Sequence, residues 1–252
     1  MNNLANSLLD LGRYDEALEL QEQILKLYKK CAMHNLAGSL SGLGRYDEAL
    51  TLREQVLTLR KKILGDEHPD TISAMNNFAV TLSALGHYDE ALTLREQVLS
   101  LRKKILGDEH PDTVGSMNGL AWTLTLLNRH DEALKLMETA LPLFKKVFGE
   151  DATETLNATD TMVHALSGLG RYEEAITLQR DTLTRCEETL GDEHPLTITV
   201  MKGLAEILHD SGNDEKALTI IEVAEMLAYE VFGDEHPKTK EILDLREKIL
   251  NG

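Results

Sequence analysis

The 252-residue chain has two cysteines, Cys31 and Cys186, too few to staple a secreted framework and more consistent with a reducing compartment. Aromatic residues make up only 4%, which excludes most β-sandwiches. No apolar run reaches the roughly 18 residues of a membrane span, and no charged-then-apolar leader opens the chain. Positive charge is also scarce: 26 Lys and Arg stand against 43 Asp and Glu, a formal net charge of −17. Such a field repels phosphate backbones and anionic lipid, which argues against nucleic-acid and membrane partners. With 42% hydrophobic residues the chain is too apolar for disorder. A soluble, acidic, cytoplasmic protein is expected.

Motifs of chemistry are equally thin. Gly42-Leu43-Gly44 is a fragment of a dinucleotide fingerprint with no third glycine at 47, and there is no Walker-type phosphate loop. His68, His110, His194 and His236 each follow Asp-Glu, but neighbouring members are at least 42 residues apart. That spacing fans them over separate linkers, whereas zinc needs three or four ligands on one ion. They read as helix-start residues. Asn157-Ala158-Thr159 is a formal glycosylation sequon, expected to be unused, and both thiols read as inert. No metal, no cofactor and no catalytic residues are expected, and the chain is read as a non-enzyme.

What the sequence does contain is a repeat. Thr51–Thr71 and Thr93–Thr113 differ only at Thr58 against Ser100, and the offset is 42 residues. The same step carries Gly44 to Gly86, Asn128, Gly170 and Gly212, and Ala49 to Ala91, Ala133, Ala175 and Ala217. Each unit predicts two helices. In Pro69–Leu85, Ile72, Met75, Phe78, Ala79 and Leu82 recur at spacings of three and four, with Pro69 suited to the first helical position and Gly86 as the stop. A second helix is predicted from about His87 to Lys104, acidic in its first turn and basic in its last, as the helix dipole favours. Ala79 and Ala91 fall where a bulky side chain would force the two helices apart. One pair cannot bury both of its faces, so neighbouring pairs must stack into an all-α solenoid.

The run Leu82, Gly86, Tyr88, Ala91, with Ala79 and Val98, resembles the tetratricopeptide repeat (TPR) signature. The 42-residue period and the Leu-Gly-Asp-Glu-His-Pro linker resemble the kinesin-light-chain type of that family. The resemblance implies a right-handed TPR solenoid over residues 1–252 as a single array. Its repeats are expected at about 1–31 (truncated), 32–68, 69–110, 111–152, 153–194 and 195–236, with a capping helix at 237–252. It further implies that the first helix of each pair, helix A, lines a concave groove. Carried over repeat by repeat, one groove position holds Asn2, His34, Asn76, Asn118, Asp160 and Lys202, and a second holds Asn6, Gly38, Val80, Trp122, His164 and Glu206. From these the expected peptide-binding groove is Asn76, Val80, Asn118, Trp122, Asp160, His164, Lys202 and Glu206. Asn76 and Asn118 suit a peptide backbone and Trp122 is an interface anchor; simple solvation and core packing remain the alternatives. The set has one Lys and no Arg, unlike carboxylate-clamping arrays, while Asp160 and Glu206 would oppose an acidic peptide. A neutral or basic segment is favoured.

Two departures stand out. The chain aligns as beginning inside a helix A, and Gly12 to Gly44 spans 32 residues instead of 42. Either a turn forms near Lys26–Cys31, or one long helix runs from Tyr14 to Leu43, implying a homodimer or a missing upstream segment. Pro142 falls inside a helix B, where a kink costing about 3 kcal/mol is expected, and the next linker, Gly149–Thr153, lacks His-Pro. The expected function is a non-catalytic protein-protein interaction scaffold that binds a partner peptide. The alternative is a structural or sensor tail of a larger multidomain protein, self-associating or linked to an NTPase.

Overall fold

Four helices of this chain start on the same chemical device. His68, His110, His194 and His236 each precede a proline and accept, at Nδ1, the backbone N–H of the residue two positions on, at 3.1 Å. An acceptor at the N-cap satisfies one orphan donor of the first turn, and proline at the first helical position has no N–H to orphan. The histidines are thus structural caps, as their place in the linkers predicts.

The computed structural model describes Met33 and residues 35–251. Residues 35–42 are helical. The helices that follow are α1 (Tyr46–Leu64), α2 (Pro69–Ala84), α3 (Tyr88–Leu106), α4 (Pro111–Leu126), α5 (His130–Phe148), α6 (Thr153–Gly168), α7 (Tyr172–Leu190), α8 (Pro195–Asp210), α9 (Asp214–Phe232) and α10 (Pro237–Asn251). Helix A is one residue shorter than the apolar periodicity predicts, and helix B runs on to Leu106. The truncated first repeat and the junction at residues 26–33 lie, apart from Met33, outside the described residues.

Two left-handed positions punctuate each repeat. Gly86, between α2 and α3, has φ 81°, and in the equivalent place Asn128 stands at φ 56°, the only described non-glycine residue with positive φ. The linker glycine is stricter: Gly65 has φ 86° and ψ 168°, a region that only glycine occupies readily. In the last three linkers a buried threonine bonds the equivalent glycine, whereas Thr71 and Thr113 are buried with Oγ1 unpaired. Thr155, Thr197 and Thr239 donate from Oγ1 to the carbonyls of Gly149, Gly191 and Gly233 at 2.7, 2.8 and 2.8 Å.

The chain forms two units, residues 1–101 and 102–252. In the first, Val56, Leu57, Ile72, Met75 and Val98 share one core cluster, and Ala79, Leu82 and Ala91 another. Ala79 and Ala91 are both completely buried, as the close helix crossing requires. In the second unit each helix packs on the next in sequence. The A helices α4, α6, α8 and α10 also touch one another in succession. Successive A helices are therefore near neighbours, and their exposed faces lie side by side.

Pro142 does not interrupt α5, which runs unbroken over 19 residues, the length of α3, α7 and α9. The proline removes the hydrogen bond to Glu138 without ending the helix. The linker that lacks His-Pro shows its deficit at the cap. Ala152 has the extended backbone of an N-cap, φ −70° and ψ 142°, with no side-chain acceptor. Ala152→Ser supplies that acceptor without changing the backbone, and should stabilise the protein by about 1 kcal/mol in urea unfolding.

Candidate functional site

Helix A of the fourth repeat, α4, carries Gly115, Asn118, Gly119 and Trp122 at the i, i+3, i+4, i+7 spacing that puts them on one face. Two of the four are glycine, so this stretch of the face has no side chain between its polar and aromatic members. A Cβ added at Gly115 would meet nothing within 4 Å. The result is an open cavity of about 500 Å³ between α4 and α6. Trp122 and Phe144 supply its aromatic lining, and Asn118, Glu154, Asn157 and Asp160 its polar lining.

Trp122 is only half-buried. It lines the cavity and is not among the fully buried core residues. Its ring meets His164 edge to face, with centroids 5.3 Å apart at 74°. His164 and Asp160, one turn apart on α6, approach to 3.6 Å between Nε2 and Oδ2, a separation too long for a firm hydrogen bond. Asp160 is held from behind instead. Gln179 of α7, completely buried, donates from Nε2 to Asp160 Oδ1 at 2.7 Å and to the carbonyl of Val200 at 3.2 Å. Gly203 of α8 makes room for this clamp, since a Cβ there would lie 2.9 Å from Gln179 Nε2. Oδ1 of Asp160 is thus committed to Gln179, and Oδ2, which His164 approaches, is the oxygen without a firm hydrogen bond.

Of the eight groove residues expected from the sequence, the structure brings Asn118, Trp122 and Asp160 into one cavity and sets His164 against its edge. Lys202 and Glu206 stand on α8 outside the cavity lining. Lys202 is not free: its Nζ pairs with Glu241 Oε2 of α10 at 2.7 Å. Glu206 is half-buried on the same helix. Asn76 and Val80 lie on α2 of the first unit, Asn76 half-buried and Val80 exposed. The sequence reasoning missed Gly115, Asn157, Glu154, Phe144 and Gln179. The first two were findable, because residues 115 and 157 share one register three positions before the Asn118/Asp160 pair.

The remaining candidate chemistry is accounted for structurally. Cys186 is buried against Leu156, Leu196 and Val200. Burial first, then the charges of Asp160 and Glu187, push its thiol up to about 11. Asn157 of the sequon uses its Nδ2 to bond the carbonyl of Thr153 at 2.9 Å. Among the described residues, no group of three or more His, Cys, Asp or Glu is placed to hold a metal ion. No described helix is long and apolar enough to cross a membrane.

Tetratricopeptide repeat models match residues 30–104, 84–146 and 151–225, and a second such model matches 1–30. The chain belongs to the tetratricopeptide repeat family. A solved structure from Podospora anserina, described as a kinesin light chain with nearly identical TPR-like repeats, is similar at 26% identity with TM-score 0.63. That match covers 82% of this chain and 98% of the other. BtubC from P. vanneervenii shares the fold at 17% identity, with TM-score 0.64 over 92% of this chain and 91% of that one. Bacillus thuringiensis PlcR, solved with the peptide PapR7 and DNA, shares it at 14% identity, with TM-score 0.65 over 89% and 75%. No curated protein matches the chain. The TPR array is thus an all-α solenoid of the kinesin-light-chain-like type, a scaffold class that mediates protein-protein interaction and for which nothing here shows catalysis.

Two outcomes test the geometry around Asp160. Met137 occupies the Gln179 register one repeat earlier and is also completely buried, so Gln179→Met should be accommodated sterically. By stranding Asp160 and the Val200 carbonyl it should still cost about 1–3 kcal/mol in urea unfolding. The high thiol pKa keeps Cys186 protonated throughout the neutral range. In a Cys31→Ser background at pH 8, it should resist iodoacetamide in the native protein and react at the rate of a free thiol in denaturant.

Proposed function

We propose that this TPR array is a non-catalytic interaction module that binds a partner peptide segment along the face of its A helices, with the cavity between α4 and α6 as the main anchoring point. One observation carries the reading: Trp122, the only tryptophan of the chain, is held half-exposed over an open cavity. A ring in that position leaves apolar area in water that a ligand covers on binding, and aromatic anchors of this sort dominate interface energetics.

The ligand is neutral to basic. Glu154 and Asp160 line the cavity and no Lys or Arg does, within a chain of net charge −17. Asn118 lines the cavity with its Oδ1 buried and unpaired, so its Nδ2 donors are the group proposed to meet a peptide backbone. PlcR, which shares the fold, is a protein solved with a bound peptide, and this supports a peptide as the ligand class. In the first unit, Asn76 and Val80 are proposed as groove residues of their own helix A, α2. The protein is proposed to act in the cytoplasm.

Capture from cell lysate tests the reading. Partners held by the wild-type chain should be lost by the Asn118→Ala/Trp122→Ala variant, with far-UV helicity unchanged. Equal capture by both proteins, with self-association persisting in light scattering, would overturn the groove reading. The array would then be read as a structural or sensor tail, for which the near-identity of Thr51–Thr71 and Thr93–Thr113 is the supporting feature.

A further inference from the structure

Resting on the peptide-groove reading, we propose that the cavity over Phe144 is an arginine-selective subsite, in which the guanidinium of a partner side chain sits between Trp122 and the carboxylates of Glu154 and Asp160.

The argument comes from the chain's own repeats. At one register of helix B, two successive repeats place an arginine, Arg60 and Arg102, and each bridges to the start of the next helix A. Arg60 donates from Nη1 to the carbonyl of Asp70 at 2.6 Å. Arg102 donates from Nη1 to the carbonyl of Asp112 at 2.9 Å and to Ser116 Oγ at 2.8 Å. The Asp112 carboxylate acts on Arg102 as well, partly offsetting the lowering of its pKa by burial. One repeat later the register changes. The arginine becomes Phe144, almost completely buried, while the acidic residue of the helix start is kept as Glu154. An acidic helix start that has an internal guanidinium bonded to its backbone in the two preceding repeats therefore has a phenyl ring in its place, and the cavity lies there.

The rest of the lining suits the same group. A guanidinium is planar, always charged, and presents several N–H donors to carboxylates while stacking on aromatic faces. Trp122 offers the face, Phe144 closes the apolar floor, Asp160 and Glu154 offer the acceptors, and no lining residue is cationic. Gln179 fixes the Asp160 carboxylate by its other oxygen. Lysine would keep the charge and lose both the stacking and the forked hydrogen bonding.

The experiment is selection of a random peptide library on the full chain and, in parallel, on its Trp122→Ala variant. Affinities of the selected peptides are then read from Trp122 fluorescence. Arginine should be enriched among Trp122-dependent peptides, and its replacement by citrulline should weaken binding at least about tenfold, by lysine somewhat less. Asp160→Asn should reproduce about a tenfold loss. Phe144→Arg restores a residue type that Arg60 and Arg102 show the register accommodates. It should fill the subsite, abolish the preference for arginine and leave thermal unfolding close to wild type. Trp122-dependent peptides that bind equally well with citrulline would overturn the arginine subsite and leave the groove reading standing. A library yielding no Trp122-dependent peptide would overturn both.

Discussion

Everything in this protein depends on how closely the two helices of a repeat approach. Ala79 on α2 and Ala91 on α3, both without any exposed surface, let the helices cross at backbone distance. A pair packed so tightly still has an apolar face left over. That face is covered only by the next pair, and this requirement is what turns 42 residues into a stack instead of a domain. Because the chain returns after each helix B to begin another helix A, consecutive A helices become neighbours. In the second unit α4, α6, α8 and α10 touch in series. The groove face is a consequence of that adjacency: polar or aromatic residues on the outward side of helix A are gathered into one surface without any residue being placed there for that purpose.

The linkers hold the register with a small set of parts. The N-cap histidine accepts a first-turn N–H, the proline leaves none to be orphaned, the glycine takes the φ near 86°, and in three linkers the threonine donates to the glycine carbonyl. Their roles are separable, as the linker at 149–153 shows. It lacks histidine and proline but keeps Gly149 and Thr155, and α6 begins at the residue the period predicts. The glycine is the part common to every linker, while the cap adds stability. Pro142 gives the same lesson within a helix. One missing hydrogen bond in α5 is tolerated because the packed face, with Met137, Ala140 and Phe144 all buried, holds the helix in place.

Helices, caps and the alternation of A and B were legible in the sequence because each depends on residues within about one turn of each other. That Trp122 and Asn118 share one face was legible too, since it follows from their spacing on one helix. The cavity was not. It is made by missing side chains at Gly115 and Gly119, and by Phe144 arriving from another helix, so its existence is a matter of volume in three dimensions. Lys202 illustrates the opposite difficulty. Its register on helix A marks it as a groove residue, yet Glu241, 39 residues away on the terminal helix, claims its charge. Gln179 could not be assigned at all from its neighbours in sequence, because its two acceptors sit on α6 and α8.

The buried polar register of helix B explains where specificity can arise in such an array. Position by position it holds Arg53, Arg95, Met137, Gln179 and Ile221. The two arginines belong to the near-identical repeats, and their burial has an electrostatic consequence: Arg95, with 7% of its surface exposed, is pushed down to about 10 by desolvation alone. A cation held without a carboxylate partner is an unfavourable element, and copying the repeat copies it. Divergence to methionine, glutamine and isoleucine removes that term while keeping the volume filled. The substitution to glutamine also orients Asp160, and the parallel change from Arg102 to Phe144 opens the cavity beside it. Of the residues that stand where the near-identical repeats hold arginine, Phe144 lines the acidic, aromatic pocket and Gln179 orients a carboxylate of it. The candidate site thus lies where these two registers no longer hold arginine.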